Sequence, residues 1–261
     1  LAYMIMLFGI TYGAQYGGST TSILVNIPGE ASSVITCLDG YAMARQGRAG
    51  PALGIAAFGS FIGGMVALLG LAYLAPALAE FGLHFGPPEY AALMLFGLTA
   101  LVYLAHGPMD KALLMALCGG LLASIGLDPV TGAPRFTFNF LVLRDGIGLT
   151  PVVIGLFGVA EVLLNLDAKA GEVFQNKVRG LLPTAQDWQE SAAPIARGSL
   201  LGFFIGAIPG LNVVIATFAS YALEKKLSKH PEKFGQGAIA GVAGPETANN
   251  AASCSGWIPL L

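Results

Sequence analysis

Residues 16–30, YGGSTTSILVNIPGE, close an uncharged run that begins at Leu1 and lasts to Gly29. Within it sit Gly17, Gly18, Ser19, Thr20, Thr21, Ser22 and Asn26, followed by the helix-breaking pair Pro28-Gly29. Small, hydroxyl-rich, interrupted backbone is costly in lipid, where unpaired N–H and C=O groups find no water. It survives there only when protein or a wet cavity surrounds it. A polar, broken segment at membrane depth is therefore expected to point inward and to mark a binding site.

The rest of the chain supports the membrane setting. Only 11% of residues are charged, 55% are hydrophobic and the mean hydropathy is +0.70, whereas soluble domains carry about 25% charged residues. Uncharged runs cover Ala49 to Ala79, Tyr90 to Met109, Ala112 to Leu127 and Gly198 to Leu223. Each meets or approaches the roughly 20 apolar residues that a spanning helix needs. None alternates like a strand, so the expected fold is an all-α polytopic membrane protein rather than a barrel. The net charge of -2 says nothing about a partner, and with no basic stripe or aromatic-basic interleaving no nucleic-acid partner is expected. Cys37, Cys118 and Cys254 are scattered, with no CxxC and no Cys/His cluster, and support neither a disulfide framework nor a zinc site. His84, His106 and His230 fall in loops or at span ends. Both ends lie inside apolar segments, which predicts an internal fragment of a longer polytopic protein.

Three parts are expected. Residues 1–166 carry the first broken segment and the helices that follow it; 167–194 form a polar cytoplasmic connector; 195–261 open a second broken region. Glu30 to Gly47 reads as a short helix with an acid in its first turn, Arg45 in its last and a glycine cap. Spans follow over 51–78, 90–105, 111–127 and 149–166, with an interfacial helix at 136–143 (FTFNFLVL) inside the 128–148 loop. The basic residues Arg45 and Arg48, and then Lys169, Lys177 and Arg179, place 31–50 and 167–194 on the cytoplasmic side. A single crossing at 195–223 would then put Lys225, Lys226, Lys229 and Lys233 outside. A re-entrant hairpin turning at Pro209-Gly210 removes the conflict, with arms of about 13 residues, or roughly 20 Å each. A Pro-kinked single span is the alternative. Gly202, Gly206 and Gly210, like Gly59/Gly63 and Gly237/Gly241, are spaced for close helix packing.

Two sets of side chains carry the chemistry. Ser19, Ser22 and Asn26 fall on one face of a helix. A half-helix starting at Gly17-Gly18 would aim its positive end at a carboxylate. Glu246, Asn249, Asn250 and Ser253 share a second face, just after a break expected at Gly244-Pro245. An acid near the membrane interior is a functional candidate by default. With amide oxygens beside it, Glu246 is expected to bind Na⁺ or take up a coupling proton; the alternative is a helix-start acid at the interface. Glu161 is a weaker candidate near a span end. No cofactor is expected, and no metal beyond a Na⁺ near Glu246. Ser253-Cys254-Ser255-Gly256 resembles a serine-nucleophile turn, but no span holds a His to act as base, so an intramembrane hydrolase is disfavoured. A channel or a structural scaffold is the other competing class.

YGGSTTSILVNIPGE (16–30), GFFIGAIPGLN (202–212) and FASYALEKKLSKHPEKFGQGAIAGVAGPETANNAA (218–252) resemble the large membrane subunit of the tripartite tricarboxylate transporter family. The resemblance runs over essentially the whole chain. It implies a secondary transporter of the bacterial inner membrane, built as two inverted repeats and driven by a Na⁺ or proton gradient. It implies two partners, a small membrane subunit and a periplasmic solute-binding protein that delivers a di- or tricarboxylate such as citrate. The substrate-binding candidates are then Gly17, Gly18, Ser19, Thr20, Thr21, Ser22, Asn26, Pro28 and Gly29 from the first signature, and Pro209, Gly210 and Asn212 from the second. Glu246, Asn249, Asn250 and Ser253 are the ion-coupling candidates.

Overall fold

The computed structural model describes residues 2–82, 84, 86–104, 108–128, 131–160, 163, 180–208 and 213–257. Helix α1 covers Ala2–Val25. It runs unbroken through Gly17 and Gly18, so the half-helix expected to start there does not form. The hydroxyls of Thr21 and Ser22 bond back to the Gly18 carbonyl at 3.0 and 2.9 Å, which satisfies them without leaving the helix. The break comes later, at Asn26 with φ +58°, followed by Pro28 and Gly29. What points at this region is therefore the carbonyl end of α1, which does not favour an anion.

Glu30 then opens a helical segment, α2 (31–45). Its side chain and that of Ser33 form a reciprocal capping box. The segment tightens and widens in turn, with a 3-10 turn at Ala31–Ser33 and a π turn at Cys37–Tyr41, and ends at Arg45. Gly47, at φ +80°, closes it as expected. Helix α3 (Ala49–Gly82) continues past Pro76. Among the described residues it is the helix long and apolar enough to cross a membrane, over Ala49–Leu78. Helices α4 (Pro87–Leu104) and α5 (Met109–Ala123) occupy the next two apolar runs.

The loop after α5 holds a two-stranded hairpin, β1 (Gly126–Leu127) against β2 (Pro134–Arg135). The interfacial helix expected at 136–143 shrinks to a 3-10 turn at Leu141–Asp145, because Phe136, Phe138 and Asn139 take positive φ. Helix α6 (Leu149–Val153) passes into a π turn at Ile154–Val159. Glu161 and most of the polar connector, including Lys169, Lys177 and Arg179, lie outside the described residues.

Helix α7 covers Ala185–Ala207, starting in the polar stretch rather than at Ile195 and passing straight through Pro194. Thr184 and Asp187 form the capping box that starts it. Helix α8 covers Val213–Leu227. Residues 209–212 between them, with Pro209, Gly210 and Asn212, lie outside the described residues. Helix α8 folds back along α7: Arg197, midway along α7, grips Glu224, in the last turn of α8, through both guanidinium arms, with Nε 2.7 Å from Oε1. Helix α9 (Ala240–Ser255) runs through Pro245 without the expected break, so Glu246 is an interior helix residue and not a helix-start acid.

Helix α9 is the hub. Its residues are nearly all small, and glycines on its neighbours let their backbones reach it. On α7, an added Cβ at Gly198, Gly202 or Gly206 would strike the α9 backbone at Gly244, Ala248 and Ala252 respectively. On α3, Gly63 closes in the same way on the Thr247 carbonyl, and Gly59 on the Thr247 hydroxyl. Of the expected glycine stripe, Gly202 and Gly206 are used and extended one turn earlier to Gly198; Gly210 lies outside the described residues, and Gly237, at φ +103° in the loop before α9, does not form a helical pair with Gly241. Around this hub polarity is turned inside out. Glu246, Asn249, Asn250, Asp39, Ser19 and Thr36 are buried, while Phe61, Tyr73, Leu95, Phe96 and Leu121 on α3, α4 and α5 are 64–81% exposed. A soluble protein does the reverse.

Candidate functional site

The polar interior centres on α9 where it meets α1 and α2. Glu246 is 1% exposed and accepts from two hydroxyls, Ser19 Oγ of α1 and Thr36 Oγ of α2. One turn on, Asn249 donates through Nδ2 to Glu30 Oε1 at 2.8 Å. Gln15, with its amide nitrogen facing acceptors, donates to Glu30 Oε1 at 2.6 Å and to Asn249 Oδ1 at 2.9 Å, and accepts from Ser253 Oγ at 3.1 Å. Asn250 donates to Ser60 Oγ of α3 at 2.7 Å and to the Glu246 carbonyl at 3.1 Å. Its Oδ1 is buried with no hydrogen-bond partner. The Ser60 carbonyl is taken by the Tyr12 hydroxyl at 2.7 Å.

The face expected from spacing is therefore assembled: Glu246, Asn249, Asn250 and Ser253 all point toward α1, α3 and the turn before α2. Of the first motif, Ser19 joins them. Gly18 is buried against Glu30, whose Cγ lies 2.8 Å from where a Cβ would be. Gly29 sits directly on Gly18 and its N–H reaches the Gly18 carbonyl at 3.4 Å. Pro28 and Ser22 are buried, Thr20 and Asn26 half-buried, and Gly17 and Thr21 exposed, so the motif is not one continuous polar face. Pro209, Gly210 and Asn212 cannot be compared, since they fall outside the described residues.

Four residues of the network, Gln15, Glu30, Thr36 and Ser60, were not singled out by spacing as site residues. Gln15 gave a signal, an amide inside an otherwise uncharged apolar run, and Glu30 gave another, an acid directly after Pro-Gly. Thr36 and Ser60 gave none, because they meet α9 only through tertiary packing.

Two further acids organise the surroundings. Asp39, fully buried in the π turn of α2, accepts N–H bonds from Gly235, Gly237 and Ala238 at 2.8–2.9 Å and the Tyr221 hydroxyl at 2.9 Å. It clamps the loop that leads into α9. At the polar end of the bundle, Asp187 pairs with Arg48 at 2.7 Å. Burial opposes the charge on Asp187, but the Thr184 donors and the Arg48 guanidinium outweigh it and hold the carboxyl below its ordinary value.

An apolar exterior around a buried carboxylate–amide core is the architecture of a membrane protein. The chain belongs to the tripartite tricarboxylate transporter TctA family, whose model matches residues 1–261. It is 54% identical over 259 residues to an uncharacterized 52.8 kDa protein of the TAR-I ttuC' 3' region of Agrobacterium vitis, covering 99% of this chain and 52% of that one. It is 60% identical over 60 residues to an uncharacterized protein of the TAR-II ttuC' 3' region of the same bacterium, covering 23% of this chain and 25% of that one. The chain thus spans about half the length of the longer relative. No solved structure matches it. The family is one of transporters, not of enzymes.

Proposed function

We propose that this chain is part of the permease subunit of a secondary transporter that imports di- or tricarboxylates, citrate among them, across the bacterial inner membrane. It spans that membrane several times and draws on a Na⁺ or proton gradient. It works with a small membrane subunit and a periplasmic binding protein that delivers the substrate. The observation that carries this reading is Glu246: a carboxylate in the interior of a helix, buried, and met by hydroxyls with no Lys, Arg or His beside it among the described residues. A buried charge without a counter-ion is strongly unfavourable. A cation or proton taken from the gradient supplies the missing charge, and that is the chemistry ion coupling requires.

The substrate reading rests on the two broken segments. The Pro28-Gly29 turn packs on Gly18, beside the Ser19 that touches Glu246, so a ligand held by the turn and the coupling acid share α1 as a lever. Pro209, Gly210 and Asn212 supply the second half of the substrate site, in keeping with the inverted-repeat logic of such carriers. The α7–α8 pair is read as a re-entrant hairpin. At 15 residues α8 is about 22 Å long, short of a hydrocarbon core of about 30 Å; α7, at 23 residues, exceeds the expected arm of about 13 because it begins in the polar stretch at Ala185.

Uptake of labelled citrate into vesicles tests the reading, with Na⁺ and pH gradients imposed separately and the partner subunits present. Glu246→Gln keeps the size and loses the charge, so it uncouples uptake from the gradient more than it weakens substrate binding. Wild-type gradient dependence in this variant refutes the assignment of Glu246.

A further inference from the structure

We infer that Glu30 is the second carboxyl of the cation site, so that one small monovalent cation is held between Glu30 and Glu246 and the Pro-Gly turn registers its presence. The inference rests on the reading of Glu246 as the coupling acid and adds the residue that connects this acid to the turn.

Charge accounting comes first. The buried Glu224 and Asp187 each have an arginine, Arg197 and Arg48. Asp39 has three backbone amides and a tyrosine hydroxyl. Glu246 has two hydroxyls, and Glu30 has the side-chain amides of Asn249 and Gln15. Neutral donors orient two carboxylates but leave their charges unbalanced. The two acids are held close, since Glu246 and Asn249 stand one turn apart on α9 and the adjacent residues Gly18 and Ser19 touch Glu30 and Glu246 respectively. The buried Oδ1 of Asn250, which lacks any partner, is an independent sign that this face of α9 has a surplus of oxygen acceptors.

Hydroxyl donors suit a site that fills and empties. Turning about their Cβ–Oγ bonds, Ser19 and Thr36 donate to Glu246 when no cation is present and offer lone pairs when one is. All the ligands are hard oxygens, which matches an alkali cation or a proton and not a soft metal. The facing groups are Gln15 and Ser19 of α1, Thr36 of α2, Ser60 of α3, and Asn249, Asn250 and Ser253 of α9. The same helices also carry Tyr3, Tyr12 (bonded to the Ser60 carbonyl) and Tyr16 on α1, Cys37, Asp39, Tyr41 and Arg45 on α2, Tyr73 and Glu80 on α3, and Cys254 on α9.

Glu30 also connects outward. It caps α2 directly after Pro28-Gly29, and Gly29 rests on Gly18. With the cation gone, the two carboxylates repel and Glu30 carries the turn away from Gly18. With it present, the turn is seated. Cation occupancy and turn position become one equilibrium.

The test uses the purified full-length protein. Equilibrium binding of radioactive Na⁺ is measured at fixed pH, and proton uptake is measured separately in Na⁺-free buffer. In parallel, maleimide labelling of Val25→Cys, at the exposed end of α1, is followed with the native cysteines replaced. Saturable Na⁺ binding names sodium as the cation; proton uptake without Na⁺ binding names the proton. In either arm, Glu30→Gln weakens cation affinity about tenfold or more and makes labelling at position 25 insensitive to the cation. Glu30→Asp, which keeps the charge on a shorter stem, shows the same defect to a smaller degree and serves if the Gln variant does not fold. If Glu30→Gln binds the cation like wild type while Glu246→Gln does not, this inference is overturned and the Glu246 reading stands. If both variants bind like wild type, the proposed function fails with it.

Discussion

Gly29 and Gly18 meet so closely that a side chain on either has nowhere to go. A Cβ at Gly29 would land on the Gly18 backbone. Overpacking of this kind costs about 1–3 kcal/mol, so Gly29→Ala should lower the Tm in detergent and, by unseating the turn, reduce uptake beyond what its expression level explains. Thr36 invites a gentler change, since Thr36→Val keeps the shape and removes one donor to Glu246. A hydrogen bond to a charged group contributes about 1.5–3 kcal/mol, so the cation concentration for half-maximal uptake should move by roughly tenfold or more. An unchanged value would mean that the contact is packing only. At the polar end, Asp187 brings a pH dependence with a definite sign. Its carboxyl is held below its ordinary value, so its stabilisation is complete above the unfolded carboxylate pKa of about 3.9 and is lost as pH falls through the depressed folded value. Asp187→Asn should therefore melt below wild type at neutral pH, with the gap closing in acid.

Helix α9 owes its place to what its neighbours lack. Three glycines on α7 and two on α3 allow close approach, so polar side chains from α9 reach α1 and α2 instead of filling space between helices. Gly202→Val should force α7 and α9 apart and lower stability by more than the same change at Gly17, which has open space around it; thermal melts of the two variants decide the point. The α7–α8 pair gives a topological prediction. Cysteines at the exposed positions Glu190, in the polar first turns of α7, and Lys229, just after α8, should label from the same side of the membrane in intact cells. Labelling from opposite sides would replace the hairpin with a kinked span. Ser191 is unsuitable for this purpose because it is fully buried.

For the molecule as a whole, the distribution of polarity decides more than any single contact. Exposed Phe, Tyr and Leu on α3, α4 and α5 surround a core of carboxylates and amides, an arrangement unstable in water and natural in lipid. In that setting α9 acts as a common wall, gripped by α3 and α7 and wired through Glu246 and Asn249 to α1 and the Pro-Gly turn. Asp39 ties the entrance of the same helix to α2.

Apolar runs, low charge and glycine spacing were enough to read the helical class and the positions of α3, α4 and α5, because in these segments burial in lipid and local helix geometry ask for the same residues. The face Glu246, Asn249, Asn250 and Ser253 was legible for a similar reason, since helical periodicity is a local property. Breaks were harder to place. Gly17-Gly18 and Gly244-Pro245 look like interruptions, yet α1 and α9 pass through both, because hydroxyls bonded to the Gly18 carbonyl and the tight packing around α9 outweigh weak local propensity. The partners of Glu246 belonged to the tertiary structure alone. Ser19, Thr36 and Glu246 are separated by up to 227 positions in the chain, and only the close approach of α9 to α1 and α2 turns them into one site.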